Sequence, residues 1–258
     1  MGINYFEKYS QAVRDNGYGV VPLISGSKAP TADMDWPHHG WQPPDVDWIE
    51  NYSSKNPDDG IGIVGGRLSF AFDFDTLSKK DNQRFLDLAK EVCGETPLLR
   101  VGQTPKIAAV YRAAEPIISI RIPEIDVLGL HSYLVAYGMH PKTHKPYKWV
   151  GTGAPHITPL SEVPAVTNAQ VETVMSEIAK SVIGSDFIGF KLELDRNFMP
   201  LVLSSRTILA KQLLRRIFKG KRYSRSYAAN MMRTRVPSGC WGLVLKPDVK
   251  GEQQWEGT

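Results

Sequence analysis

The sequence predicts a mixed α/β fold of the α+β kind with a helical end. Three observations predict it. Short apolar runs bounded by Gly, Pro, Asn or Ser recur from Tyr18 to Val150, the mark of many short strands. Apolar positions at helical spacing precede those runs at 3–15 and interrupt them only at 46–52 and 79–92. Helical spacing then returns over 168–183 and again over 204–218. The 258 residues are enough for one large domain, or for one domain with an appendage.

Taken in order, Tyr5, Phe6, Tyr9, Ala12 and Val13 line one side of the first helix, and Asn16-Gly17 ends it. A strand follows over Tyr18–Ile24, then a turn-rich loop, Ser25 to Pro30, carrying Lys28. Residues 31–60 read as loop with one short helix, Val46–Tyr52. Ile61–Val64 and Leu68–Phe74 are apolar strands, expected to form a central hairpin hinged at Gly65-Gly66. Phe85, Leu86, Leu88, Ala89 and Val92 give Lys79–Val92 its apolar side, and Gly94 stops it. Strands are expected at Pro97–Val101, Ile107–Arg112, Ile117–Ile122, Ile125–Leu128, Tyr133–Tyr137 and Lys148–Val150. Thr167 with Gln170 makes a capping box for the helix from Asn168 to Ile183.

Composition excludes several classes. No run of eighteen apolar residues occurs, so no membrane span is expected. The N-terminus lacks a basic stretch followed by an apolar core, so no secretory signal is expected either. Cys93 and Cys240 stand alone and far apart, which speaks against a disulfide framework and for a reducing cytoplasm. The adjacent His38 and His39 diverge from each other and have no third ligand at helical or hairpin spacing, so zinc binding is not expected. The net charge of +4 is unevenly spread: residues 1–195 hold 18 Lys/Arg against 24 Asp/Glu, whereas 196–247 hold 12 Lys/Arg and no acid. That segment suits a polyanionic partner.

Asp73 and Asp75 stand at i and i+2 on a strand, which places both carboxylates on one face while Phe72 and Phe74 face the other. Adjacent carboxylates repel, and a fold that holds them together commonly neutralises them with a cation. Solvent-facing acids at a strand end are the plainer alternative. Asp126, on another short strand, offers a third carboxylate, and three from neighbouring strands suit a pair of Mg²⁺ or Mn²⁺ ions of the kind used in phosphoryl transfer. Between them in sequence, Arg100 and Lys106 bracket the Gly-Gln-Thr-Pro turn, with Arg112 beyond, so cations and backbone donors can meet a triphosphate there.

The order of these motifs resembles the bifunctional primase/polymerase (prim-pol) domains of the archaeo-eukaryotic primase superfamily, found in phage and plasmid replication proteins. The likeness runs over roughly residues 5–165. It is carried by Gly17 to Leu23, the Lys28-Ala29-Pro30 turn, Trp41, and Gly60 to Gly66 leading into Asp73-Phe74-Asp75. It continues through Arg100 to Lys106, Ile125-Asp126-Val127, and Val135 to Pro141 with Lys145 to Trp149 beyond. The resemblance implies an archaeo-eukaryotic primase fold, an RRM-like catalytic sheet beside an N-terminal α/β unit, occupying 1–165, with 166–258 as a helical, basic extension. It implies a template-directed nucleotidyltransferase in which Asp73, Asp75 and Asp126 hold two Mg²⁺ or Mn²⁺ ions, and Arg100, Gln103, Lys106 and His140 bind the nucleotide triphosphate. The superfamily's second motif usually carries Ser-x-His, and here no His occurs between His39 and His131. Lys106 is the substitute, with His140 a second candidate. The implied partners are single-stranded DNA template and primer, dNTP or NTP, and a replicative helicase supplied by another chain, since no P-loop occurs here. Lys211, Arg215, Arg216, Lys221, Arg222 and Tyr223 are the expected nucleic-acid contacts, cations for phosphates and an aromatic ring for a base, with a solvated helix face or a surface docking on the chain's own acidic body as the plainer alternative. Two rival readings stay open: a metal-dependent nuclease, and a non-catalytic nucleic-acid-binding replication module.

Overall fold

In the first of the chain's two units, two sheets share the strands, antiparallel but for one short strand, and the chain passes between them three times. The computed structural model describes residues 3–31, 36–122, 124–182, 243–247 and 253–257. Helix α1 (Tyr5–Asp15) leads into β1 (Val20–Leu23), a 3₁₀ turn at Trp36–Gly40, α2 (Val46–Lys55) and β2 (Gly60–Val64). Then come β3 (Ser69–Phe74), α3 (Lys79–Cys93), β4 (Leu99–Val101), β5 (Ile107–Ala113), β6 (Ile120–Ile122) and β7 (Ile125–Leu128). The chain continues through β8 (Tyr133–Tyr137), β9 (Lys148–Trp149), β10 (Ala165–Val166) and α4 (Asn168–Val182).

The smaller sheet has the order β1-β2-β8, and the larger β6-β7-β3-β5-β4-β9 with β10 parallel to one end of β5. The hairpin expected across Gly65-Gly66 is therefore not formed: β2 and β3 belong to different sheets. Strand β2 already has β1 on one side and β8 on the other, so its ladder is full. The glycines serve the crossing instead. A side chain at Gly65 would lie 2.3 Å from the Leu128 carbonyl oxygen, and Gly66 has φ +151°. Only a residue without Cβ passes so close to the end of β7.

Period-2 alternation gives the larger sheet two faces of different character. Phe70, Phe72 and Phe74 lie on one, packed with Tyr111 and with Phe85 of α3. Ser78 caps α3 by accepting from the Asp81 N–H at 3.1 Å. On the other face Ala71, Leu98, Val110 and Leu128 join one core with Phe6 and Val13 of α1, Tyr18, and Val20, Ile61 and Leu134 of the smaller sheet. Helix α4 begins with the expected capping box, in which the Thr167 N–H donates to Gln170 Oε1 at 3.0 Å and the Gln170 N–H to Thr167 Oγ1 at 3.4 Å. It buries Val171, Val174, Met175 and Ile178. The compact unit so built runs to Ile178.

In the second unit, β11 (Leu243–Pro247) and β12 (Gln253–Gly257) pair antiparallel, Leu243 opposite Gly257 and Pro247 opposite Gln253. The extension expected to be helical thus contains α4 and, among the described residues, this strand pair as well. In sequence Gly242 and Pro247 bound a run too short for a stable helix, while two such runs paired with each other satisfy their backbone groups. The helix expected over 204–218 lies outside the described residues, as do Lys211, Arg215, Arg216, Lys221, Arg222 and Tyr223.

Candidate active site

Strand register assembles the candidate residues into one row across the larger sheet. Arg121 of β6 lies opposite Asp126 of β7, Asp126 opposite Asp73 of β3, and Asp73 opposite Ala108 of β5. Ala108 in turn faces Arg100 of β4, and Arg100 faces Trp149 of β9. Directly opposed residues share a face, and this is the face whose far end packs on the smaller sheet. The short side chain of Ala108 lets the Arg100 guanidinium reach across β5, where Nη2 stands 3.7 Å from Asp73 Oδ1. One residue beyond the end of the β3–β5 ladder, Lys106 Nζ lies 2.9 Å from Asp75 Oδ1. Arg121 Nε stands 3.8 Å from Asp126 Oδ2. Each of the three carboxylates therefore has its own cation.

The backbone holds this arrangement at the row's acidic end. The Asp75 N–H donates to the Glu124 carbonyl at 2.8 Å, which extends the β3–β7 ladder one residue past the strand. Glu124 itself sits in the tight β6–β7 turn with φ +73°. Burial, with the Asp75 charge beside it, raises the Asp73 carboxyl above the ordinary aspartate value despite the opposing pull of Arg100. Two acids held together in this way are a set of hard oxygen donors, and they fit a divalent cation such as Mg²⁺ or Mn²⁺ that would displace their side-chain cations. Among the described residues no group of three or more His, Cys, Asp and Glu is gathered closely enough to enclose a metal without rearrangement. The carboxylates turn to arginine and lysine instead.

The basic end of the row is built on an aromatic ring. The Arg100 guanidinium lies 5.0 Å from the centre of the Tyr147 ring, and His140 packs 5.3 Å from the same ring. Gly102 leaves room for that ring, since a Cβ there would come 2.4 Å from Tyr147 Cε1. Gln103 holds the turn through its carbonyl, which accepts the Lys106 N–H at 2.9 Å. His140 is buried, and its Nδ1 accepts the N–H groups of Lys142 and Thr143, both at 3.2 Å. Nε2 then carries the proton of the neutral ring and is the nitrogen left to donate to a ligand. Burial and the surrounding Lys28, Arg100, Lys142 and Lys106 charges lower the His140 pKa from its ordinary value.

Three participants escaped the sequence reading. Arg121 was one strand residue among many. Tyr147 was part of a strand–turn–strand pattern, and its hydroxyl, together with Arg100 Nε and Trp149 Nε1, is buried without a hydrogen-bond partner among the described residues. Lys28 was a loop lysine. It extends from the smaller sheet's β1 loop, whose carbonyl at Lys28 accepts the Tyr133 hydroxyl at 2.7 Å. Desolvation and the Arg100 charge lower its ammonium pKa, while Asp73 and Asp75 oppose the shift. Its charge is thus felt at the row from the opposite sheet. The residue types gave no signal for these three, because cross-strand register and sheet pairing are long-range facts. His39, which sequence reading set aside as a metal ligand, has Nδ1 2.6 Å from the Val20 carbonyl oxygen.

Fold and row together define an α+β protein with paired acids flanked by arginines along one sheet face. A family model for the bifunctional DNA primase/polymerase N-terminal domain matches residues 10–166, more than half the chain, and the chain belongs to that family. A search of curated proteins finds no match. No helix among the described residues is long and apolar enough to cross a membrane.

Proposed function

We propose that the chain is a template-directed nucleotidyltransferase that joins nucleotides to a 3′-hydroxyl in DNA replication, as primase, polymerase or both. The observation that carries this reading is the cross-strand row, with carboxylates at its centre and the Arg100–Lys106–His140 group on one flank. Family membership supports the reaction class. Asp73, Asp75 and Asp126 would hold two Mg²⁺ or Mn²⁺ ions. The chemistry such ions supply is activation of the 3′-hydroxyl and neutralisation of the departing pyrophosphate.

The residues themselves do the rest. Lys106 and Arg100 leave Asp75 and Asp73 to grip the triphosphate, Arg100 through its planar fork and Lys106 as a point charge. His140 donates from Nε2, and Gln103 lines the turn. Held there, the α-phosphorus accepts the 3′-oxygen while its bond to the bridging oxygen breaks. Pyrophosphate leaves toward the cations, and the hydroxyl proton passes to water. The basic residues from Lys211 to Tyr223 would hold template, and the setting would be phage or plasmid replication alongside a helicase.

The test is nucleotide incorporation on a single-stranded template, run with and without a primer and with ribo- and deoxynucleotides in turn. Incorporation should require Mg²⁺ or Mn²⁺ and fall on the order of 100-fold or more in Asp73→Ala, in line with losing a preorganised electrostatic contact at the reacting centre. Full activity in that variant sinks the site. DNA degradation independent of nucleotide points to a nuclease instead.

A further inference from the structure

We infer that Arg121 is the anchor for the acceptor strand, gripping a backbone phosphate next to the 3′-hydroxyl that attacks. The inference rests on the proposed nucleotidyl transfer and follows from the order of residues along the row. In such a transfer the attacking and leaving oxygens lie on opposite sides of the α-phosphorus, roughly in line. The groups suited to the leaving triphosphate all stand on one side of the carboxylates: Lys106 just before β5, Arg100 on β4, and His140 with Tyr147 beyond. The nucleophile must then come from the other side, across β7 and β6. Arg121 stands at that end, directly opposite Asp126 and separated from Arg100 by the Asp126–Asp73 pair.

Its environment suits the task. The side chain is 42% exposed, so a strand laid over the sheet edge can reach it. In the fold it neutralises Asp126 from 3.8 Å. Once divalent ions take the carboxylate, the guanidinium is released next to the incoming strand, and a phosphodiester is the anion that strand brings. Glu124, in the adjoining turn, keeps that edge from being uniformly basic, so the grip is local to one or two phosphates and not a general DNA-binding face.

The test uses the full chain and a recessed primer whose linkages nearest the 3′ end are replaced, one at a time, by uncharged methylphosphonate. In the wild type one such replacement should weaken primer–template binding about tenfold with Ca²⁺ present and far less in EDTA, where Asp126 still holds the guanidinium. Arg121→Gln should weaken binding of the natural primer by a similar factor, with no further loss from that replacement, and should lower the slope of log affinity against log salt by about one phosphate's worth. Arg121→Lys should keep the slope. The nucleotide KM should be unchanged in both variants. A raised nucleotide KM or altered Mn²⁺ affinity with unchanged primer affinity places Arg121 with the triphosphate or the metal and overturns the inference. Additive losses from the variant and the methylphosphonate overturn it too. A wild type that incorporates no nucleotide overturns the proposed function itself, so the two failures are distinct.

Discussion

A single aspartate shows what the site costs the fold. Asp73 has its carboxyl raised in the folded chain, burial being the largest cause. A raised carboxyl means that folding favours the protonated form. Its favourable contribution is therefore complete below the ordinary aspartate value of 3.8 and is lost as pH rises through the folded value. At neutral pH, without divalent ions, Asp73 is a net burden on stability. Asp73→Asn, which mimics the protonated acid, should raise the urea midpoint at pH 7 and give no advantage below about pH 3, while ending nucleotide incorporation. An equal or lower midpoint at pH 7 contradicts this account. The acid was legible from sequence because alternation with Phe72 and Phe74 fixes its face without knowledge of any partner strand. Tyr147 was not, since its relevance lies in the Arg100–Trp149 pairing of β4 with β9, which no local pattern encodes.

At the level of elements, the turn between β4 and β5 and the strand beyond it act as one support. Gly102 has no special backbone angle to justify it; what excludes a side chain is the Tyr147 ring. Gly102→Ala should push that ring aside and with it the Arg100 guanidinium. Overpacking of this kind destabilises by roughly 1–3 kcal/mol. Denaturant unfolding should register that loss, and nucleotide KM should rise by more than Thr167→Ala causes, a cap removal costing about 1 kcal/mol beside the other end of β5. If the two variants behave alike, Gly102 is not a support for the site. Element positions were largely readable: α3, β5, β7, β8 and the α4 capping box fall within a residue or two of the sequence expectation. The exception is instructive. Two apolar runs around Gly-Gly carry the same local signal whether they pair with each other or part into two sheets, and only the claims of β1 and β8 on β2 decide it.

For the molecule as a whole, the question is where the catalytic unit ends. The sequence reading divides the chain at 165, and the family match stops at 166. Yet β10 pairs with β5 at Arg112 and Ala113, and α4 buries four apolar side chains in the same compact unit. Each such side chain contributes about 1.5–3 kcal/mol when buried. A chain ending at 182 should therefore unfold cooperatively near the midpoint of the longest form, whereas one ending at 165 should melt far lower or fail to fold. Equal melting temperatures would show α4 to be dispensable.

The path of the chain between the sheets carries one more consequence. Strand β2 waits for β8, and β4 waits for β9, so the small sheet is completed from residues made after most of the large one, and the large from residues made later still. Neither sheet is complete before the chain has returned from the other. The pair is stitched rather than stacked, and damage to one sheet should be felt as loss of both in a single transition. Stitching also limits how far the sheets can part without tearing ladders. Lys28, reaching over from one sheet, and the acidic row on the other are thereby tied to the same stitched frame.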